Sequence, residues 1–266
     1  MELFVNHTFQ GNYYLCEQIK IDENRVNITN PDEDIADVTG GYIFELDEHF
    51  DEQFCYASRG DLPWQFKVPD ELTPEQFEYG KHFIDEMEDA LFDEVRFANR
   101  EFAQIMNLES FIDWWLVMEL ATNVDPQAPR SSFMYKDCDH DGKTSQIYAG
   151  PVWDFDYNSF IPELSNQYTI ARSLYYPQLF RDKMFRQMVK QRWAALKDAG
   201  MAEHISQYID QTEARLEASD RLNAGMWPVT NAINADTYLS YHDAVARLKR
   251  SFVRKYTWLD YAISEL

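Results

Sequence analysis

No stretch of the chain approaches the roughly 20 consecutive apolar residues of a membrane helix, so insertion into a bilayer is not expected. Positive charge is scarce: 24 Lys and Arg stand against 46 Asp and Glu, for a formal net charge of −22. Such a surface repels nucleic-acid phosphates and anionic membranes, which argues against a DNA or RNA partner. It would steer basic partners inward, although acidity can also serve solubility alone. Cysteine is sparse, and Cys16, Cys55 and Cys138 are odd in number with no CxxC spacing, so neither a zinc knuckle nor a complete disulfide framework is expected. The six histidines are scattered without HExxH spacing. There is no GxSxG elbow, and Ser131-Ser132 has no evident base nearby in sequence. Neither GxGxxG nor GxxxxGK[ST] occurs, which excludes Rossmann and Walker phosphate loops. The opening residues Met1 to Asn6 lack the basic region, apolar core and cleavage site of a secretory signal.

What is present suits a globular chain. Its 266 residues are 45% hydrophobic and 15% aromatic, enough for one large domain or two lobes sharing a cleft. The first 70 residues read as mostly sheet. A hairpin is expected from Glu2–Val5, a turn over Asn6 to Asn12, and a return strand over Tyr13 to Ile21. A polar loop over Asp22 to Thr39 leads to strands at Tyr42 to Asp47, Phe54 to Tyr56 and Trp64 to Val68. A strand edge this early leads us to expect that the domain begins upstream of Met1. Helices take over from residue 71. Thr73 with Pro74 and Gln76 forms a capping-box pattern, followed by Phe77, His82, Phe83, Met87, Ala90 and Leu91 at helical spacing. The next helix, from about Asn107 to Leu120, is apolar nearly all round and should be the buried centre of a helical lobe, with Trp114-Trp115 as core. Amphipathic helices are expected over Phe180 to Ala199, Met201 to Leu222 and Ala235 to Ile263.

Two features bear on chemistry. Pro126 disfavours helix at Asp125, which places this acid on a loop at the end of the most buried helix. After a second hairpin, Ser132 to Lys136 and Gln146 to Val152, comes Trp153-Asp154-Phe155-Asp156-Tyr157. If Gln146 to Asp156 is a strand, Asp154 and Asp156 share one face while Trp153, Phe155 and Tyr157 enter a core. Two hard oxygen ligands on a rigid element suit Mg²⁺ with a polyphosphate; an amphipathic strand with solvated acids has the same pattern. The connecting turn Asp137-x-Asp139-x-Asp141-Gly142 resembles half a calcium loop, but Tyr148 stands where the bidentate Glu would be, and an acidic hairpin turn explains it without metal. The order helix, loop Asp, hairpin, metal Asp matches that of a kinase C-lobe.

Asn12-Tyr13-Tyr14-Leu15-Cys16-Glu17-Gln18-Ile19, Gly40-Gly41-Tyr42-Ile43-Phe44-Glu45-Leu46-Asp47, Glu119-Leu120-Ala121-Thr122-Asn123-Val124-Asp125 and Gly150-Pro151-Val152-Trp153-Asp154-Phe155-Asp156 together resemble the spore coat protein H (CotH) kinase family. The resemblance spans essentially the whole chain and includes Ser110 to Asp113, Phe133 to Asp137, Arg192-Trp193 and Trp258 to Asp260. It implies an α+β, atypical protein-kinase-like fold, with a small and possibly truncated β-rich N-lobe over residues 1–70 and a larger helical C-lobe over 71–266. It also implies transfer of phosphate from ATP, with Mg²⁺ or Mn²⁺, to Ser or Thr of basic, Ser-rich proteins. The placement it implies is extracytoplasmic, at the cell envelope or spore coat. By motif Asp125 matches the catalytic-loop Asp and Asp154 the metal-binding Asp, with Asp156 in the same motif. Glu17, Gln18 and Lys20 fall where nucleotide contacts are expected. Family members usually carry an upstream segment whose basic residues reach the ATP phosphates; here Lys20, Arg25 and Arg130 are the candidate cations. Some members have an Asn five residues after the loop Asp as second metal ligand, for which this chain offers Asn123, Ser131 or Ser132. A kinase-like scaffold without catalysis, acting as a binding or envelope protein, is the alternative reading.

Overall fold

The computed structural model describes residues 1–31, 37–156, 159–228 and 239–266. The fold is mixed α+β. Its centre is an antiparallel five-stranded sheet in the order β4 (Cys55–Ala57), β5 (Pro63–Val68), β3 (Tyr42–Leu46), β6 (Ser132–Lys136), β7 (Ile147–Ala149). β3 is central and wholly buried, since its neighbours saturate its backbone and both faces are covered. Tyr42, Phe44 and Leu46 face the helices and join the main core, while Ile43 faces a smaller cluster with Val26 and Phe133. β6 pairs with β3 from Tyr42↔Lys136 to Leu46↔Ser132, so the sheet draws strands from both sides of residue 70.

The helices follow their local signals closely. α1 (Pro74–Phe92) begins with the expected capping box: Gln76 N–H donates to Thr73 Oγ1 at 3.2 Å and Thr73 N–H to Gln76 Oε1 at 2.9 Å. It packs directly on the sheet at Gly80, where a Cβ would lie 2.6 Å from the Phe66 ring. Short helices α2 (Glu94–Ala98) and α3 (Phe102–Ile105) lead to α4 (Leu108–Leu120), capped by Asn107. α4 is the buried central helix, as its all-round apolarity requires, with Trp114 stacked on Tyr176 at a centroid distance of 6.0 Å. A short helix α5 (Tyr176–Leu179) precedes α6 (Lys183–Asp198), the helix expected over Phe180 to Ala199, which starts three residues later because Asp182 caps it through Met184 and Phe185 N–H. α7 (Met201–Met226) runs past Leu222, and α8 (Tyr241–Ser264) is capped by Ser240; the expected start of that helix at Ala235 lies outside the described residues.

Two strand expectations are corrected. The first hairpin is tighter than the sequence suggests: β1 (Glu2–Val5) pairs with β2 (Thr8–Asn12) across Asn6-His7, both at positive φ, the backbone of a two-residue hairpin turn. Tyr13 to Ile21 is therefore not the return strand; Ile19 and Ile21 instead lie against the Ile43 and Phe133 cluster on the face of the sheet away from the main core. The second correction concerns Gln146 to Asp156, where the strand stops at Ala149. Gly150 turns to φ +115° and Pro151 has no N–H to donate, so the ladder cannot continue.

Candidate active site

The C-terminal end of α4 builds the site. Past Leu120 the chain reverses through Thr122 at φ +50°, and Asp125 opens a 3-10 turn over Asp125–Gln127. Asn123, 1% exposed, connects the two acidic segments: its Nδ2 donates to the Asp154 carbonyl oxygen at 2.9 Å and its Oδ1 accepts from Asp125 N–H at 2.9 Å. The segment beyond Asp156 is tied to the same helix end, as Phe160 N–H donates to Ala121 O at 2.5 Å and Ile161 N–H to Thr122 Oγ1 at 2.7 Å. Asp125 and the Asp154 segment are thus held by one helix terminus and one buried amide.

Asp154 does not stand on a strand. It adopts φ +62°, the left-handed region that Asp tolerates better than most residues. Trp153 and Phe155 do not share one core, since Trp153 packs on the Val26, Ile43 and Phe133 cluster and Phe155 on the main core. Tyr157 lies outside the described residues. The Asp154 and Asp156 carboxyls nevertheless meet. Partial burial raises the Asp154 carboxyl above its ordinary value, as do contact with Asp156 and the charges of Asp156 and Asp125, while the Ser131 hydroxyl pulls it down. Ser131 Oγ donates to Asp154 Oδ2 at 3.2 Å, whereas Ser132 is buried and turns its hydroxyl to Arg130 O.

Among the described residues no three His, Cys, Asp or Glu side chains are grouped to hold a metal ion. Two mutually repelling carboxylates beside a hydroxyl are hard oxygen donors. They fit Mg²⁺ in its usual mode, in which one or two protein carboxylates are completed by water and phosphate oxygens. Asn123 here serves as a tie between loops.

Gln18 and Lys20 line a groove of about 880 Å³ together with Phe133 and Trp153, the neighbour of Asp154. Glu17 is not part of that wall; it pairs with Lys20 at 3.7 Å. The groove is acidic, lined by Glu45, Asp47, Asp51, Glu52 and Asp70, and its two lysines are engaged: Lys20 with Glu17 and Asp22, Lys67 with Glu45 and Glu52. Of the other candidate cations, Arg130 is bound to Glu48, and the Arg25 Nε is buried without a hydrogen-bond partner.

The acidic turn has its own internal donors. Asp137 accepts from Thr29 and Cys138 N–H, and Asp139 accepts from Lys136 Nζ at 2.7 Å, the Tyr79 hydroxyl and Ser145 N–H. Lys136 is fully buried, 5.0 Å over the Phe83 ring, and burial lowers its pKa.

Sequence reasoning missed the support beneath Asp125. Glu119 and Lys255 are both 0% exposed and 2.8 Å apart. Glu119 also accepts from Thr169 and Ile170 N–H, and Lys255 Nζ donates to Gln167 O at 2.6 Å and Thr169 Oγ1 at 3.1 Å. Gln127, in the Asp125 turn, donates to Thr169 O at 2.8 Å. The available signals were an acid in the last turn of an apolar helix and a lysine in line with Phe252 and Leu259 on α8.

A search of curated proteins finds no match. The family model described as CotH kinase protein matches residues 1–259, nearly the whole length. The motifs around Asn123, Asp125 and Asp154 lie within that match, and the chain belongs to the CotH kinase family.

Proposed function

We propose that the protein is an ATP-dependent kinase acting on Ser or Thr of polypeptides, with Asp154 and Asp156 holding Mg²⁺ or Mn²⁺ and Asp125 serving the acceptor hydroxyl. The observation that carries this reading is the Asn123 amide, which joins the Asp125 turn to the Asp154 segment and so sets a loop carboxylate beside a carboxylate pair. ATP supplies the phosphoryl group, and the divalent ion offsets the charge of its phosphates. Asp125 would accept a hydrogen bond from the acceptor hydroxyl, orient its oxygen and take its proton on transfer. Gln18 and Lys20 would contact the nucleotide from the wall of the 880 Å³ groove. With five acidic residues in that wall, phosphates would need to lie toward the Asp154 end with their cation.

The two-lobe division at residue 70 belongs to this reading, as do basic, Ser-rich acceptors steered by the −22 surface and a place at the spore coat or cell envelope. No described helix is long and apolar enough to cross a membrane. A non-catalytic scaffold is the second reading, favoured by the groove lysines being engaged with carboxylates. Thermal unfolding with ATP and Mg²⁺ separates the two: the kinase reading expects a rise in Tm that Asp154→Asn abolishes, and no rise in the wild type supports the scaffold. Asn is the informative substitution because it also tolerates the left-handed backbone at this position.

A further inference from the structure

The Asp125 turn also borders a second groove, of about 860 Å³, through Gln127. Gln127, two residues after Asp125, forms part of its wall, so the groove begins at the turn that carries the proposed hydroxyl acceptor. Tyr168, Phe180 and Trp258 give it aromatic surfaces, with Tyr168 and Trp258 edge to face at 4.9 Å. In a protein with 46 acidic residues, none of the side chains lining this groove is Asp or Glu. It carries one cation, Arg172, which is exposed and makes no ion pair among the described residues. Four other arginines near the helices, Arg96, Arg100, Arg181 and Arg192, are by contrast each paired with a carboxylate. The wall is also preformed, because the buried Glu119 and Lys255 pair fixes the backbone from Gln167 to Ile170 from below.

We infer that this groove is the acceptor-polypeptide subsite, and that Arg172 selects an anionic side chain, a phosphoserine or a carboxylate, close to the serine being modified. The inference rests on the kinase reading for Asp125 but concerns recognition alone. Arginine is suited to either anion through its planar donors, and the neighbouring aromatic surfaces give the peptide backbone and apolar side chains a dry contact. If the anion is phosphoserine, one turnover creates the determinant for the next within a serine-rich stretch. The net acidic surface would still draw a basic polypeptide from a distance, while Arg172 decides its register.

The test is direct binding by fluorescence anisotropy, without nucleotide, of labelled serine peptides carrying Ala, Asp, phosphoserine or Lys at each flanking position. At one flanking position the phosphoserine or Asp peptide is expected to bind about tenfold more tightly than the Ala peptide, the size of a lost charged hydrogen bond. Arg172→Gln should remove that preference, Arg172→Lys should restore part of it, and Arg215→Gln, on exposed α7, should leave it intact. Phosphoserine favoured over Asp points to a primed substrate, and equal preference points to a plain acidic one. Equal binding of all peptides, no binding of any, or a preference that survives Arg172→Gln would overturn the inference. Anionic preference without phosphate transfer would leave the groove assignment standing and remove the kinase reading; transfer without preference would do the reverse.

Discussion

Asn123 donates its side-chain N–H to the carbonyl oxygen of Asp154 at 2.9 Å, and its amide oxygen receives the N–H of Asp125 at 2.9 Å. One buried side chain therefore sets the spacing of two acidic segments that are separated by an entire hairpin. Asn123→Ala removes a donor and an acceptor at once and leaves two partly buried backbone groups without their partner, so a loss of about 1 kcal/mol is expected in urea unfolding. Asn123→Asp keeps the acceptor but loses the donor. It also buries a carboxylate with no cation beside it, so it should be at least as destabilising as Ala at neutral pH and lose metal-dependent nucleotide binding as fully.

Asp154→Asn should stabilise the metal-free protein. The Asp154 carboxyl has a raised folded-state pKa, chiefly from desolvation and then from Asp156, although the residue is exposed and solvent screening keeps the effect small. A raised carboxyl favours folding while protonated, and its contribution is lost as pH rises through the folded pKa. At neutral pH the ionised form is therefore a liability in the fold, which neutral Asn removes. The Tm of Asp154→Asn should exceed that of the metal-free wild type at pH 7, and the gap should close as the pH falls below the carboxylate range. Mg²⁺ should narrow the gap from the other side by raising the wild-type Tm alone.

The Glu119 and Lys255 pair lies under the Asp125 turn, and cutting it should reach both stability and transfer. Lys255→Met leaves an unpaired buried carboxylate, at a cost of about 3–5 kcal/mol. Glu119→Gln keeps an acceptor for the Thr169 and Ile170 N–H groups and should cost less. Because Gln127 hangs on Thr169 O, Glu119→Gln should lower kcat more than it changes the KM for ATP, checked by steady-state kinetics of the purified variant.

Thr73→Ala serves as a remote control. Losing the capping box of α1 should cost about 1 kcal/mol in thermal or urea unfolding and leave phosphate transfer per folded molecule unchanged.

The legible parts of this fold were those fixed by short-range chemistry. Thr73 caps α1 where the sequence placed that cap, α4 begins at Asn107 as expected, and α4 is buried because its polar face is only a narrow strip at Glu109 and Asp113. Asp125 falls just beyond that helix, as Pro126 demands. The parts that misled were decided by backbone conformation. Asn6-His7 accept positive φ and close the first hairpin early, so the segment from Tyr13 to Ile21 is not a strand; only Ile19 and Ile21 pack on the sheet, and Tyr13 to Gln18 are exposed. Gly150 and Pro151 end β7, which moved Asp154 from a strand to a left-handed turn and sent Trp153 and Phe155 into different clusters. Lys255 and Glu119 were hidden for another reason: 136 positions separate them, and no local pattern links a buried lysine to its distant carboxylate.

Transfer of label from γ-labelled ATP to a Ser-containing basic polypeptide, with Mg²⁺ or Mn²⁺, tests the central claim most directly when wild type, Asp125→Asn and Asp154→Asn are compared. The account predicts incorporation by the wild type, a fall of about 10²-fold or more in each variant, and acid-stable phosphate on serine or threonine. Incorporation that persists undiminished in both variants, or none by a folded wild type across acceptors and both metals, would contradict it.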